Sequence, residues 1–163
     1  MPERRPGSNA KTLCEILMTD RDKIDNCKNL FVTTIYEPAQ NQLSIEVALG
    51  QVSQIEEDFP IGNKSLSGYR IFFDDTSEKY RLHFHSYISY FIVNEGFELE
   101  ETGKYSGDRI REYQQSSFID FCKQQTFAFE MIEESTIKHF MIVTQNHIVN
   151  ILTASPLDIT AIQ

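Results

Sequence analysis

The sequence predicts an α+β fold: a mainly antiparallel, twisted sheet of about six strands with one or two short helices packed on it, a partly closed β-barrel being the alternative. Three observations carry that expectation. The run YRLHFHSYISYFIV over 80–93 holds no Gly or Pro and puts Tyr80, Leu82, Phe84, Ile88, Tyr90 and Ile92 on one side of an extended chain, so it reads as one long strand. The β-rich runs elsewhere are joined by hairpin-length links, which makes antiparallel pairing the default. Phe118, Ile119, Phe121 and Cys122 follow the spacing of a helix pressed against a sheet.

Taken in order, residues 1–10 (MPERRPGSNA) have no apolar period and should form a flexible tail ahead of a single domain over 11–163. Thr12 and Glu15 have the T-x-x-E spacing of a helix start, which predicts a short helix over 11–19 with Leu13, Leu17 and Met18 on one face. LFVTTIYE (30–37) and LSIEVALG (43–50) flank the turn-like AQNQ and predict a hairpin. Residues 51–58 keep Val52 and Ile55 but lose strict alternation, and PIGNKSLSG follows with two Gly, a Pro and an Asn, so the longest loop is expected there. Tyr69–Phe73 should be a strand that Asp74, Asp75, Thr76 and Ser77 fold back onto the long one.

On the long strand, the odd positions begin polar at Arg81, His83 and His85 and turn apolar at Tyr87, Phe91 and Val93; one half should be solvated on that face and the other covered. Glu95–Glu101 alternates four Glu with Phe97 and Leu99, as an edge strand does when charge blocks further pairing. Residues 104–127 read either as one long helix or as a short extended piece, Arg109–Tyr113, followed by a helix over 116–125 that Ser117 and Asp120 initiate; the second reading is preferred. Ile137–Thr144 and His147–Thr153 form a second hairpin around Gln145 and Asn146, and Pro156 ends the last strand.

Composition narrows the function classes. A formal charge of -9, with scattered Lys and Arg, argues against general nucleic-acid binding, which needs a basic face. The three cysteines are odd in number and without CxxC spacing, which points to a reducing, cytoplasmic location rather than a disulfide framework. No stretch approaches the roughly 20 apolar residues of a membrane span, and Glu15 interrupts the only run near the start that resembles a leader.

His83 and His85, two apart on a strand, share a face and could hold a metal if His139 or His147 came beside them. Without a spaced third ligand the pair needs no ion, so no cofactor is expected. Cys122 falls on the buried helix face, Ser116 and Ser117 are explained by capping, and no GxSxG, P-loop or GxGxxG motif occurs, so the motifs lean against an enzyme and leave the question open. Acidic residues interleave with apolar ones at Glu56, Glu57, Asp58 and Phe59, at Glu95, Phe97, Glu98, Glu100 and Glu101, and around Phe129 to Glu134. That mixture suits docking of a basic protein surface. The expectation is therefore an acidic protein-binding module, for instance an inhibitor acting as immunity proteins do on basic toxins. The alternatives are a metal-dependent enzyme on His83 and His85, and a small-ligand pocket lined by Tyr87, Phe91 and Tyr113.

Overall fold

The computed structural model describes residues 18–98 and 100–163. The expected tail over 1–10 lies outside the described residues, as does nearly all of the helix expected over 11–19. The first described helix starts one signal later. Thr19 caps α1 (Asp20–Asn26) in a reciprocal box with Asp22: Thr19 Oγ1 accepts from Asp22 N at 3.2 Å and Asp22 Oδ2 accepts from Thr19 N at 2.9 Å.

The strands are β1 (Leu30–Tyr36), β2 (Leu43–Leu49), β3 (Gln51–Ile61), β4 (Lys64–Phe72), β5 (Lys79–Phe84), β6 (Ser89–Asn94), β7 (Tyr105–Ser106), β8 (Ile110–Tyr113), β9 (Lys138–Val143), β10 (His147–Thr153) and β11 (Leu157–Ile162). Between them lie α2 (Ser117–Gln125), α3 (Ala128–Met131) and two single 3₁₀ turns, Glu95–Phe97 and Glu134–Thr136. The architecture is mainly antiparallel sheet with short helices, as expected, and the sheets stay open rather than closing into a barrel. One sheet has the order β1-β2-β5-β11, a second β6-β10-β9-β8-β7, and β3 with β4 forms a separate ribbon.

The long run at 80–93 is where expectation and structure part most instructively. It is two strands, β5 in the first sheet and β6 in the second, with a corner at His85–Ile88. The chain that pairs with it, β10 followed by β11, changes sheets at the same place, so Pro156 marks the corner and not the end of the last strand. Register does not slip there. Leu152 faces Ser89 on one side of the corner and Leu157 faces Phe84 on the other, a step of five residues along both strands.

At the corner, side chains take over from the backbone ladder. Thr153 Oγ1 donates to Ser86 O at 2.6 Å and accepts from Ser155 N at 2.9 Å, while Ser155 Oγ accepts from Ser86 N at 3.3 Å. Pro156, with no N–H to place, fits a position where the ladder is interrupted.

Folding this ribbon in half brings two apolar faces together. Leu43, Ile45, Val47, Tyr80, Leu82 and Phe84 from the first sheet pack with Phe140, Ile142, Val149 and Ile151 from the second, closed at one edge by Ile24 of α1 and Ile110 of β8. Asp25 fastens that edge, since its Oδ1 accepts from Arg109 N at 2.9 Å and Ile110 N at 2.8 Å. The outer face of the second sheet carries Leu152 and Ile137, on which Phe118, Ile119 and Cys122 of α2 pack.

Three further expectations are corrected. Residues 51–68 form a hairpin rather than a loop: Gly62 takes φ +59, alone among the two turn residues, as a tight turn of type II′ requires. The strand at Tyr69 therefore pairs with β3, not with the long run. Glu95–Glu101 is not an edge strand, because Asn94 Oδ1 accepts from Gly96 N at 3.0 Å and turns the chain into a 3₁₀ turn at once.

Replacing the buried Thr153 by Val keeps its shape and leaves Ser86 O without its short hydrogen bond. The expected loss is about 1–3 kcal/mol of folding free energy, measured by urea denaturation; a loss within about 0.3 kcal/mol would show that the corner does not need this hydroxyl.

Candidate functional site

The outer face of the second sheet is only partly covered. β6 forms its edge, α2 crosses one part, and Phe97, Glu98 and Glu101 stand beside another. Between them opens a cleft of ≈ 260 Å³ lined by Phe91, Val93, Phe97, Glu98, Glu101, Ser117, Phe118, Met141 and Asn150. A second hollow, lined by Ser89, Phe91, Ser117, Phe118 and Phe121, shares Phe91, Ser117 and Phe118 with it.

Alternation along β9 and β10 explains the floor. Phe140, Ile142, Val149 and Ile151 point into the core, so His139, Met141, Ile148 and Asn150 point outward beneath α2 and the cleft. His139, 1% exposed, is held at both ring nitrogens: Nδ1 lies 2.9 Å from Ser116 Oγ and Nε2 2.8 Å from Asn150 Oδ1. Ser116 is also the N-cap of α2, its Oγ accepting from Ile119 N at 3.2 Å. The imidazole stacks on Tyr113 with centroids 5.0 Å apart and meets Phe118 edge-on at 5.2 Å. Burial pushes its pKa down, against the hydrogen bond to Asn150 and the charge of Glu101, so the neutral ring donates from Nε2 to Asn150 Oδ1 and accepts at Nδ1.

Glu101 forms the wall by turning inward. Its Oε2 accepts from Ser117 N at 3.1 Å and Ser117 Oγ at 2.6 Å, and its Oε1 from Gly103 N at 3.3 Å. Burial alone would raise this carboxyl, but those hydrogen bonds outweigh it and hold the pKa below the ordinary value. Gly103 is required for the approach, because a Cβ there would lie 2.3 Å from Gln115 O. Glu98, half-buried, has its pKa raised by desolvation, partly offset by Arg111.

The acidic residues singled out from the sequence thus divide. Glu95, Phe97 and Glu100 are exposed, Phe97 at 83%, whereas Glu98 and Glu101 line the cleft. Glu56, Glu57, Asp58 and Phe59 lie on β3, in the ribbon that leaves the body beyond the β2–β5 pair. Both acidic stretches depart from the same end of the sandwich, where Gly50 N donates to Asn29 O, Gln145 N donates to Leu30 O, and Asn94 pairs with His147.

His83 and His85 do share a face, with ring centroids 4.6 Å apart. Their partners are Ser44, whose Oγ is 2.9 Å from His83 Nδ1, and Asp158, whose Oδ2 is 2.6 Å from His85 Nε2. The strands beside β5 are β2 and β11, so neither His139 nor His147, both in the other sheet, comes next to the pair. Among the described residues no group of three or more His, Cys, Asp or Glu is arranged to hold a metal ion. Of the three aromatics expected to line a ligand pocket, Phe91 does; Tyr113 is buried beneath His139, and Tyr87 packs on Tyr90 and donates to Glu37. Asn150, which lines the cleft, carries no motif in the sequence, and Ser117 is marked there only as a helix start.

A neutral buried imidazole that protonates once unfolded makes folding less favourable as pH falls below the ordinary value of 6.5. The stability difference between the native chain and His139→Gln is therefore expected to be largest above that pH and to narrow below it, by up to about 1.4 kcal/mol per pH unit. Urea titrations at several pH values check this, and a pH-independent difference would contradict it.

No family model, no curated protein and no solved structure matches this chain.

Proposed function

We propose that this protein is a binding module for a basic protein partner, and that the β3–β4 ribbon is its principal docking element. One observation supports the reading above all: a two-stranded arm about 35 Å long, at roughly 3.3 Å per residue over the 11 residues of β3, has neither outer edge paired among the described residues. A ribbon of two strands is marginal in water, and free edges are templates for another strand. An extended segment of a partner aligned on β3 would complete the backbone ladder, as in recognition by strand addition.

Side chains along the arm supply the other half of the argument. Register and alternation set Glu57, Phe59, Ile61 and Leu66 on one face, and Val52, Ile71, Tyr69, Glu56 and Asp58 on the other. Ile55, Ile61, Leu66 and Tyr69 are all more than half exposed. Apolar area for burial, flanked by carboxylates for steering, is the composition of an interface, and the chain's charge of -9 favours a basic partner at long range. Glu57 is already engaged with Arg70 at 3.5 Å, whereas Glu56 and Asp58, the latter accepting from Ser67 Oγ at 2.6 Å, have no paired cation among the described residues. Inhibition of a basic toxin, in the manner of an immunity protein, is one form such binding takes.

The reading predicts that a basic protein from the native host is retained by the immobilised chain at low salt and is released at about 0.5 M salt, where the Debye length is only a few ångströms. The double variant Glu56→Lys with Asp58→Lys alters only exposed positions and should weaken retention at least about tenfold. Equal retention by native and variant chains would contradict the proposal.

A further inference from the structure

We propose that the cleft over Asn150 is a small-molecule site, built for a compact aromatic ligand with a hydrogen-bond acceptor at its inner end and a protonated amine at its outer end. The inner requirement comes from Asn150. That residue is 3% exposed and its Oδ1 is committed to His139 Nε2, yet its Nδ2 makes no hydrogen bond with any described residue while the side chain lines the cleft. The amide nitrogen is not sealed off but opens onto the cleft, and with no acceptor among the described residues it is free to donate to an incoming group. A ligand carbonyl or ring nitrogen satisfies it.

The tautomer sets the polarity of this donor. Ser116 Oγ, already accepting from Ile119 N, donates to His139 Nδ1; Nε2–H donates to Asn150 Oδ1; Asn150 is thereby held with its N–H₂ toward the cleft. The amide is oriented by a buried chain of hydrogen bonds rather than by the ligand, so the site is formed before anything binds.

The outer requirement comes from charge. Glu98 and Glu101 line the cleft, and among the described residues neither Lys nor Arg does. Glu101 Oε2 is taken up by Ser117, but Oε1 accepts only from Gly103 and retains capacity for a ligand N–H. Phe91 and Phe118, edge to face with centroids 4.7 Å apart, and the exposed Phe97 supply aromatic walls that suit both a flat ring and a cation. At ≈ 260 Å³ the cleft matches a ligand of one ring with short substituents, with the adjoining hollow of ≈ 420 Å³ left for an extension past Phe118.

The test uses the full ¹⁵N-labelled chain and three probes: 4-(aminomethyl)benzamide, which has both groups, benzylamine, which lacks the acceptor, and benzamide, which lacks the cation. The complete probe is expected to shift the Asn150 side-chain amide resonances saturably, and each truncated probe to bind at least about fivefold more weakly. Asn150→Asp keeps the acceptor for His139 and replaces the donor by an oxygen, so it should cut affinity at least about tenfold. Phe97→Ala removes an exposed wall, leaves the core untouched, and should weaken binding several-fold; it serves should the Asn150 variant fail to fold. The proposal is overturned if no probe gives a saturable shift, if the shifts miss the Asn150 amide, if the truncated probes bind as well as the complete one, or if Phe97→Ala binds unchanged.

Discussion

The structure depends on one continuous antiparallel pairing, that of the chain from Lys79 to Asn94 with the chain from His147 to Ile162. Either strand alone is a run of β-formers with no means of choosing a sheet. Paired and bent at Ser86 and Ser155, they contribute a strand each to both layers and fix how the layers face each other. The bend needs local chemistry, because a ladder interrupted in a buried place leaves carbonyl and amide groups to be satisfied. Thr153 and Ser155 supply the hydroxyls, and the buried Thr153 has no other evident role.

From that corner the rest follows by packing. Inward side chains of the two layers make the core, so the outward residues of β9 and β10 need cover of their own, and α2 provides it with Phe118, Ile119 and Cys122. The cover is incomplete where Asn150 and Met141 lie, and this incompleteness is what turns a structural layer into a cleft. A fully apolar floor would have closed more simply. Instead a histidine, a serine and an asparagine are buried together, a costly arrangement unless each polar atom has a partner. The Asn150 amide nitrogen opens onto the cleft instead and makes no hydrogen bond with the described residues. At the opposite extreme stands the β3–β4 arm, which has apolar side chains but, among the described residues, no layer to cover them.

Much of this was legible in the residues themselves. Alternation identified Tyr80, Leu82 and Phe84 as core and Arg81 and His83 as solvated, and parity survives the corner, since Tyr90 and Ile92 still face the inner side opposite Ile151 and Val149. That survival is why the corner itself was invisible: a bend that preserves alternation leaves no mark in it. Pro156 looked like a terminator because the hydroxyls that make a corner there come from other positions. The arm resembles a loop in the sequence for a physical reason too. With neither face buried, its apolar residues fall on both sides, and the bulge between Val52 and Glu56 breaks the period further. His83 and His85 were correctly set side by side, but Ser44 and Asp158 reach them from β2 and β11, and pairing partners are not written in local pattern. The same holds for the cleft, whose members come from β6, the segment after it, α2, β9 and β10.

The most direct measurement is of cross-strand proximity on either side of the corner in a single uniformly labelled sample. Interstrand NOEs are expected to link Ile151 with Tyr90 and, beyond the bend, Ile159 with Leu82, in one unslipped register. A displacement of the second set by one or two residues relative to the first, or its absence, would contradict a single ribbon folded across both layers.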